Sequence, residues 1–377
     1  MSGQSKLARL DWPLLFITFL LCGVGLLNVY SGTRVLGGET SALFAKQAIW
    51  IAVGLAVFFA VYYLSDGFIE EATPAFAVSV LAMLVVVLVV GKIRGGAQRW
   101  ISMGGFNFQP SEFAKIAAAL VLARYYSSKY QYGGIGLKET LPAIGMVIVP
   151  FLLVALQPDL GTAGVLLFIL AGVTVMACVK ARVIALFAAL GSAVIPALWF
   201  FMKDYQRQRV LTFLDPERDP LGAGYHVIQS KIAVGSGGIL GKGYLKGTQG
   251  ALRFLPEKHT DFAFAVFSEE WGFIGSILLL ALFLLLIHRL FHLAMRSQDR
   301  FAAFACGGVA VYFLTHTMIN LAMVCGLFPV VGIPLPFVSY GGSSMLTNML
   351  ALGVVANLSR SRFTFGGGLR ARGELAS

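Results

Sequence analysis

Apolar residues run along the chain in ten blocks, set apart by shorter polar stretches rich in glycine, proline and charge. The blocks centre on residues 12–30, 44–64, 75–90, 113–126, 141–156, 160–179, 183–202, 262–287, 301–327 and 343–358. Most have the about 20 residues that a helix needs to cross a bilayer. Those at 113–126 and 343–358 are shorter, which predicts helices that begin in protein-shielded loop or extend through polar turns. A long polar stretch, 203–261, divides the seventh block from the eighth. The pattern predicts an all-α polytopic membrane protein with about ten transmembrane helices and one large extracytoplasmic loop between spans 7 and 8. Residues 1–363 read as a single transmembrane domain, and 364–377, with a glycine run and mixed charge, as a disordered cytoplasmic tail.

Composition removes the soluble alternative. The chain is 58% hydrophobic and 12% charged, whereas ordinary soluble domains carry about 25% charged residues. A formal charge of +11 does not indicate nucleic acid, because no basic cluster carries interleaved aromatics; anionic headgroups and the positive-inside rule account for it. With the N-terminus in the cytoplasm, the inner segments hold Lys6, Arg9, Arg124, Lys180, Arg289 and Arg360 among others, and the short outer loops hold far fewer basic residues. That bias predicts both termini in the cytoplasm and the 203–261 loop outside. The N-terminal block resembles a signal peptide but is too long and lacks a small-residue cleavage site, so it reads as a retained first span. Cys22, Cys178, Cys306 and Cys325 lie in apolar segments with neither CxxC nor Cys/His spacing, which indicates small core residues rather than a zinc site or a disulfide framework.

Charge is scarce enough that its clusters stand out. Phe254 to Phe262 gathers Glu257, Lys258, His259 and Asp261 immediately before the eighth block, placing Asp261 at the mouth of a spanning helix, where a carboxylate can titrate and still reach a lipid-borne substrate. Taken alone, the nonapeptide reads better as a helix cap, with Asp261 and Thr260 suited to free N–H groups. Gly91 to Trp100 is a short basic, glycine-rich outer loop. Gln109-Pro110-Ser111-Glu112 starts the fourth block, with Lys115 on the face of Glu112; an ion pair at membrane depth is costly unless buried and useful. Asp159, in the turn Gln157-Pro158-Asp159, reads as an N-cap. Residues 225–233 read as an interfacial helix carrying Lys231. The glycine run 235–243 fails the P-loop pattern at Ser236 and Gly243, which leaves an anion-binding nest or a flexible turn. Ser339 and Ser343, in the Pro/Gly-rich stretch before the last block, could donate hydrogen bonds to sugar or phosphate, or the stretch could serve only to turn the chain. A lone His259 is no metal site, and orienting the loop is the task it suggests. Glu269 and Glu270 either pair with basic loop residues or contact a cation.

Ordered matches from Asp11 to Leu358 extend these local readings: Arg99-Trp100, Gln109-Pro110-Ser111-Glu112, Gln157 to Thr162, Gln229-Ser230-Lys231, Gly241-Lys242-Gly243, Gly247-Thr248-Gln249, Phe254 to Phe262 and Gly332 to Gly342. In these the chain resembles the SEDS family, and within it the RodA branch. The resemblance implies a peptidoglycan glycosyltransferase that polymerises lipid II into β-1,4-linked glycan strands at the outer face of the bacterial cytoplasmic membrane, in cell elongation and rod shape. It makes Asp261 the catalytic residue. Arg99, Trp100 and Lys231 become substrate-binding candidates, joined by Lys258 as a nearby cation and by Ser339 and Ser343. Gln109, Glu112, Lys115, Asp159 and His259 would line or support the cavity. Asn107 stands where the family pattern leads one to expect a basic residue. A divalent cation, Mg or Mn, would be held largely by substrate pyrophosphate, since no dense carboxylate cluster would supply protein ligands. The implied partner is a class B penicillin-binding protein, a transpeptidase. Three alternatives remain: a lipid II flippase, disfavoured because ionisable residues cluster at the outer side; a divisional polymerase of the FtsW branch; and a scaffold without chemistry.

Overall fold

The computed structural model describes residues 9–33, 42–94, 97–103, 106–129, 134–201, 204–218, 222–248 and 259–360. Each apolar block forms a helix. Before the long loop come α1 (Trp12–Thr33), α2 (Ala42–Tyr62), α3 (Phe68–Val90), α4 (Pro110–Lys129), α5 (Leu137–Leu156), α6 (Leu160–Met176) and α7 (Ala181–Phe201). Within the loop lie α8 (Asp204–Leu214), a 3₁₀ turn (Pro216–Arg218) and α9 (Ala223–Ser236); α10 (Ala263–Arg296), α11 (Arg300–Val324) and α12 (Gly342–Arg360) follow. Among the described residues, six helices are long and apolar enough to cross a membrane: α1, α2, α3, α5, α10 and α11.

The two short blocks do extend, as α4 and α12, through polar residues that the bundle buries. In α4 these include Ser111, Glu112 and Lys115, and in α12 Ser343, Thr347, Asn348 and Asn357. A helix wrapped by protein need not present hydrocarbon-compatible faces, which is why neither reads as strongly apolar. The hub is α11: 83% of its most apolar stretch is buried, against 22% for α2 and for α3. Lipid-facing residues such as Val78, Val89, Phe168, Phe273 and Leu278 are exposed, as a bilayer requires. At the end of the bundle that holds the start of α1, Asp11 accepts from Leu14 N at 3.1 Å and takes Arg289 through two contacts, Nε–Oδ1 at 3.0 Å and Nη2–Oδ2 at 2.7 Å, tying α1 to α10. Asn357 and Arg360 donate to the backbone carbonyls that end α2, and Arg360 also pairs with Asp66.

Several sequence expectations need correction. Residues 92–108 are not simply loop: β1 (Lys92–Arg94), β2 (Ala97–Met103) and β3 (Phe106–Phe108) form an antiparallel sheet in the order β1-β2-β3. Pairing satisfies backbone groups that would otherwise be stranded at the membrane face, a constraint that side-chain periodicity in so short a stretch does not display. Only two of the four cysteines, Cys22 and Cys306, are buried; Cys178 and Cys325 are exposed just beyond the ends of α6 and α11. The eighth block is not one smooth helix. α10 breaks at Gly272, whose φ of 65° and ψ of −162° suit glycine and almost no other residue. The break frees backbone groups on both sides, and the 237–243 run fills it: Phe273 N and Ile274 N donate to the carbonyls of Gly238 and Ile239, and Lys242 N and Gly243 N donate to those of Glu269 and Glu270. That run is therefore neither an anion nest nor a flexible turn. Its amides complete the broken helix.

Candidate active site

The turn 259–262 leads into α10 and is held from four directions. Phe262 occupies the N-cap position with no side-chain cap hydrogen bond, and Asp261 stands one residue earlier. Its neighbours are fixed instead through the backbone. Asn28 of α1 donates to Ala263 O at 3.0 Å, and Tyr340 N donates to His259 O at 2.7 Å. Asn320 of α11 donates to Asp261 O at 2.9 Å and to Ile333 O at 2.7 Å. The Phe262 ring stacks on His226 of α9, with centroids 6.0 Å apart and planes 11° from parallel. Asp261 remains partly exposed while Phe262 is buried, so the turn presents its carboxylate and anchors its aromatic. The carboxylate lies beside the backbone of Gly332 (φ 73°), where an added Cβ would stand 3.4 Å from Asp261 Oδ2. His259 sits against Gly32 of α1, where a Cβ would lie 3.4 Å from its Nδ1.

A second polar cluster joins the starts of α4, α6 and α12. Asp159 caps α6 by accepting from Thr162 N at 3.3 Å, accepts from Gln109 Nε2 at 3.1 Å, and faces Arg99 Nη1 at 3.5 Å. Arg99 reaches it from β2, and its Nε is buried with no hydrogen-bond partner among the described residues. Trp100, next along the strand, is half-buried and pairs in register with Lys92. Ser343 Oγ accepts from Gln109 N and donates to Asn107 O, both at 3.1 Å, and so pins α12 to the chain entering α4. Ser339 Oγ accepts from Leu335 N at 2.9 Å within its own loop. Both hydroxyls thus hold the loops that shape the site.

Beneath this cluster lies a buried network. Lys115 Nζ donates to Glu112 Oε1 at 2.7 Å and to His316 Nε2 of α11 at 2.9 Å, and it stands 5.4 Å from the centre of the Tyr312 ring. A charged ammonium has only donors, so His316 must accept at Nε2 and carry its proton on Nδ1. Tyr312 Oη donates to Asn348 Oδ1 at 2.6 Å, carrying the network into α12. Glu112 Oε2 is buried without a partner among the described residues.

The structure therefore gathers Arg99, Gln109, Asp159 and Ser343 in one cluster and Glu112 and Lys115 below it, while Asp261 and His259 share the neighbouring turn. The stem of Lys231 lies against Gly326 beyond the end of α11, where a Cβ would lie 2.1 Å from its Cε. Lys258 lies outside the described residues. Glu269 is resolved in favour of pairing: Oε1 takes Lys242 Nζ at 2.6 Å and Thr248 N at 2.8 Å. Glu270 accepts from Ser31 of α1. Sequence reasoning did not single out Asn28, His316, Asn320 and Asn348. Each is a polar side chain inside an apolar block, which was the signal available.

Comparison with known proteins bears on the chain as a whole. The family model for the cell cycle proteins FtsW, RodA and SpoVE matches residues 12–363. The chain is 43% identical over 357 residues to the peptidoglycan glycosyltransferase MrdB of Escherichia coli strain K12, covering 94% of each chain. Among solved structures, one described as structural coordination of polymerization and crosslinking by a peptidoglycan synthase complex superposes with a TM-score of 0.80 at 34% identity, over 94% of this chain and 98% of that one. The crystal structure of the rod shape determining protein RodA from Thermus thermophilus gives a TM-score of 0.69 at 28% identity, with the same coverage of 94% and 98%. Family model, sequence and fold agree over nearly the whole length, and the chain belongs to the FtsW/RodA/SpoVE family of multi-pass membrane proteins.

Proposed function

We propose that this chain is a RodA-type peptidoglycan glycosyltransferase of the cytoplasmic membrane, polymerising lipid II into glycan strands at the outer face. The observation that carries the reading is the Asp261 turn: a partly exposed carboxylate at the start of a broken helix, its backbone held by α1, α11 and the 330–341 loop. Such a base is oriented before substrate arrives. Asp261 takes the proton from the 4-hydroxyl of the acceptor GlcNAc as that oxygen attacks the anomeric carbon of a MurNAc carrying undecaprenyl pyrophosphate. Attack opposite the leaving group inverts the centre to a β-1,4 linkage. General-base assistance of this kind contributes typically about 10²–10⁴-fold, or about 3–5 kcal/mol.

The departing pyrophosphate needs positive charge in a partly dry site. Arg99 is suited to this because Asp159 engages one end of its guanidinium while Nε is left unspent. Lys231 and Lys258 are further candidates from the resemblance, and Trp100 would pack against substrate. Lys115 is committed to Glu112 and His316. Its work is to hold α4 and α11 in register, and Gln109, Asp159 and Ser343 hold the cluster around Arg99. Among the described residues no group of three or more His, Cys, Asp or Glu stands together. A Mg or Mn ion would enter with the pyrophosphate, and no step above runs through it. On the reading of ten spans with both termini cytoplasmic, the Asp261 turn faces outside, where the substrate must bring its own activation. The likeness to a chain of a peptidoglycan synthase complex supports a class B penicillin-binding protein as partner.

The test is to supply purified protein with lipid II in detergent, with and without that transpeptidase, and to resolve glycan products by length. Polymer is expected. If none forms under either condition while the protein moves labelled lipid II between leaflets of a vesicle, the transporter alternative replaces this one.

A further inference from the structure

We infer that Asn320 of α11 is a positioning residue for the glycosyl transfer, setting where the Asp261 carboxylate stands. The inference rests on the reading of Asp261 as general base and adds the residue that orients it. The first backbone bonds entering α10 run from Ala265 N and Val266 N to Phe262 O, so the carbonyl of Asp261 lies outside the helical ladder. It needs a donor from elsewhere. Asn320, 0% exposed, supplies one, and the same Nδ2 donates to Ile333 O. Two backbone carbonyls facing one carbamoyl fix which end is nitrogen, since oxygen there would face two acceptors.

The two carbonyls belong to the two strips of chain that meet at the carboxylate. One is Asp261 itself. The other is Ile333, next to Gly332, whose backbone lies alongside Asp261 Oδ2. A single NH₂ group thus sets the spacing between the base and the wall it rests on. Asn28 and Tyr340 N fix the flanking residues 263 and 259, and Asn320 grips the backbone of residue 261 itself. Its own Oδ1 is buried with no partner among the described residues, so the side chain is retained for donation by one end alone. One helical turn earlier on α11, His316 meets Lys115. The grip therefore springs from a helix braced by the buried ion network.

The experiment measures lipid II polymerisation by full-length wild type, Asn320→Ala and Asp261→Asn, with their thermal midpoints. For Asn320→Ala, kcat should fall by up to about 10²-fold, the scale expected for a base displaced by about 1 Å. KM for lipid II should change little, and the ascending limb of the pH–kcat profile, which reports the base, should move. If Asn320→Ala does not fold, Asn320→Ser, whose hydroxyl is too short to bridge both carbonyls, takes its place with the same expectation. Wild-type kcat and pH profile in a folded Asn320 variant, beside an inactive Asp261→Asn, would overturn the inference and leave the base assignment intact. A uniform loss that tracks the fall in thermal midpoint, with the pH limb unmoved, would also overturn it, because that is the mark of a merely structural residue. An active Asp261→Asn would remove the base assignment and this inference with it.

Discussion

Replacing Lys115 with methionine keeps an unbranched side chain, one atom shorter, and deletes its charge. Both partners of the pair are shielded, with 0% of the Lys115 side chain and 4% of the Glu112 side chain exposed. The variant leaves the Glu112 carboxylate facing an apolar methyl group near the place where an ammonium stood at 2.7 Å, and His316 Nε2 loses its donor as well. Removing one partner of a buried pair typically costs about 3–5 kcal/mol, because the remaining charge is stranded. At about 2 °C per kcal/mol for a chain of this size, the thermal midpoint should fall by about 6–10 °C. Tryptophan fluorescence of detergent-purified protein during heating would read this. The double variant Lys115→Met with Glu112→Gln removes both charges and should recover most of the loss, since a neutral replacement of a buried pair is often near-neutral in stability. A single variant as stable as wild type, or a double variant no better than the single, would refute the claim that this pair is a mutually dependent buried brace.

Gly272→Ala should be more damaging than any surface change: φ of 65° strains an L-residue by about 1–3 kcal/mol, and its Cβ would fall 2.2 Å from Gly241 N. Loss of folded protein after detergent extraction, seen as absence of a monodisperse peak in size-exclusion chromatography, is the expected outcome. Arg99→Ala should cost less stability than Lys115→Met, because the Asp159 contact is 3.5 Å long and buried Asp159 keeps Gln109 Nε2 and Thr162 N as donors. Its KM for lipid II should rise by about 10-fold or more, as one charge-assisted hydrogen bond of about 1.5–3 kcal/mol is lost, and initial-rate kinetics across lipid II concentrations would check this.

The helices were legible because hydrocarbon leaves a coarse and reliable mark: a long apolar block can be little else. Block length also pointed to polar extensions of the fourth and tenth helices, now seen as α4 and α12. The Glu112–Lys115 spacing named its own pair, and Asp159 was readable as a cap. What the sequence withheld depends on contacts distant along the chain. The Gly272 break has meaning only once 237–243 is seen filling it, and the amides of Lys242 and Gly243, free on paper for a phosphate, are taken by the carbonyls of Glu269 and Glu270. The hydroxyls of Ser339 and Ser343 also hold backbone, Ser339 by accepting from Leu335 N and Ser343 by bridging residues 107 and 109, contacts that residue type alone does not reveal. Asn320 was inconspicuous because its value lies in bridging residues 261 and 333. The small sheet at 92–108 was hidden because its stabilising bonds are between backbones and leave little trace in residue type.

The most direct test of the central claim is glycan-strand formation from lipid II by Asp261→Asn, compared with wild type at matched thermal stability and with the transpeptidase present. Asn keeps the volume of the side chain and cannot take the proton. The account predicts a stably folded variant whose polymerisation falls by about 10²–10⁴-fold. Polymer formed at the wild-type rate would contradict it and leave the Asp261 turn without a chemical role.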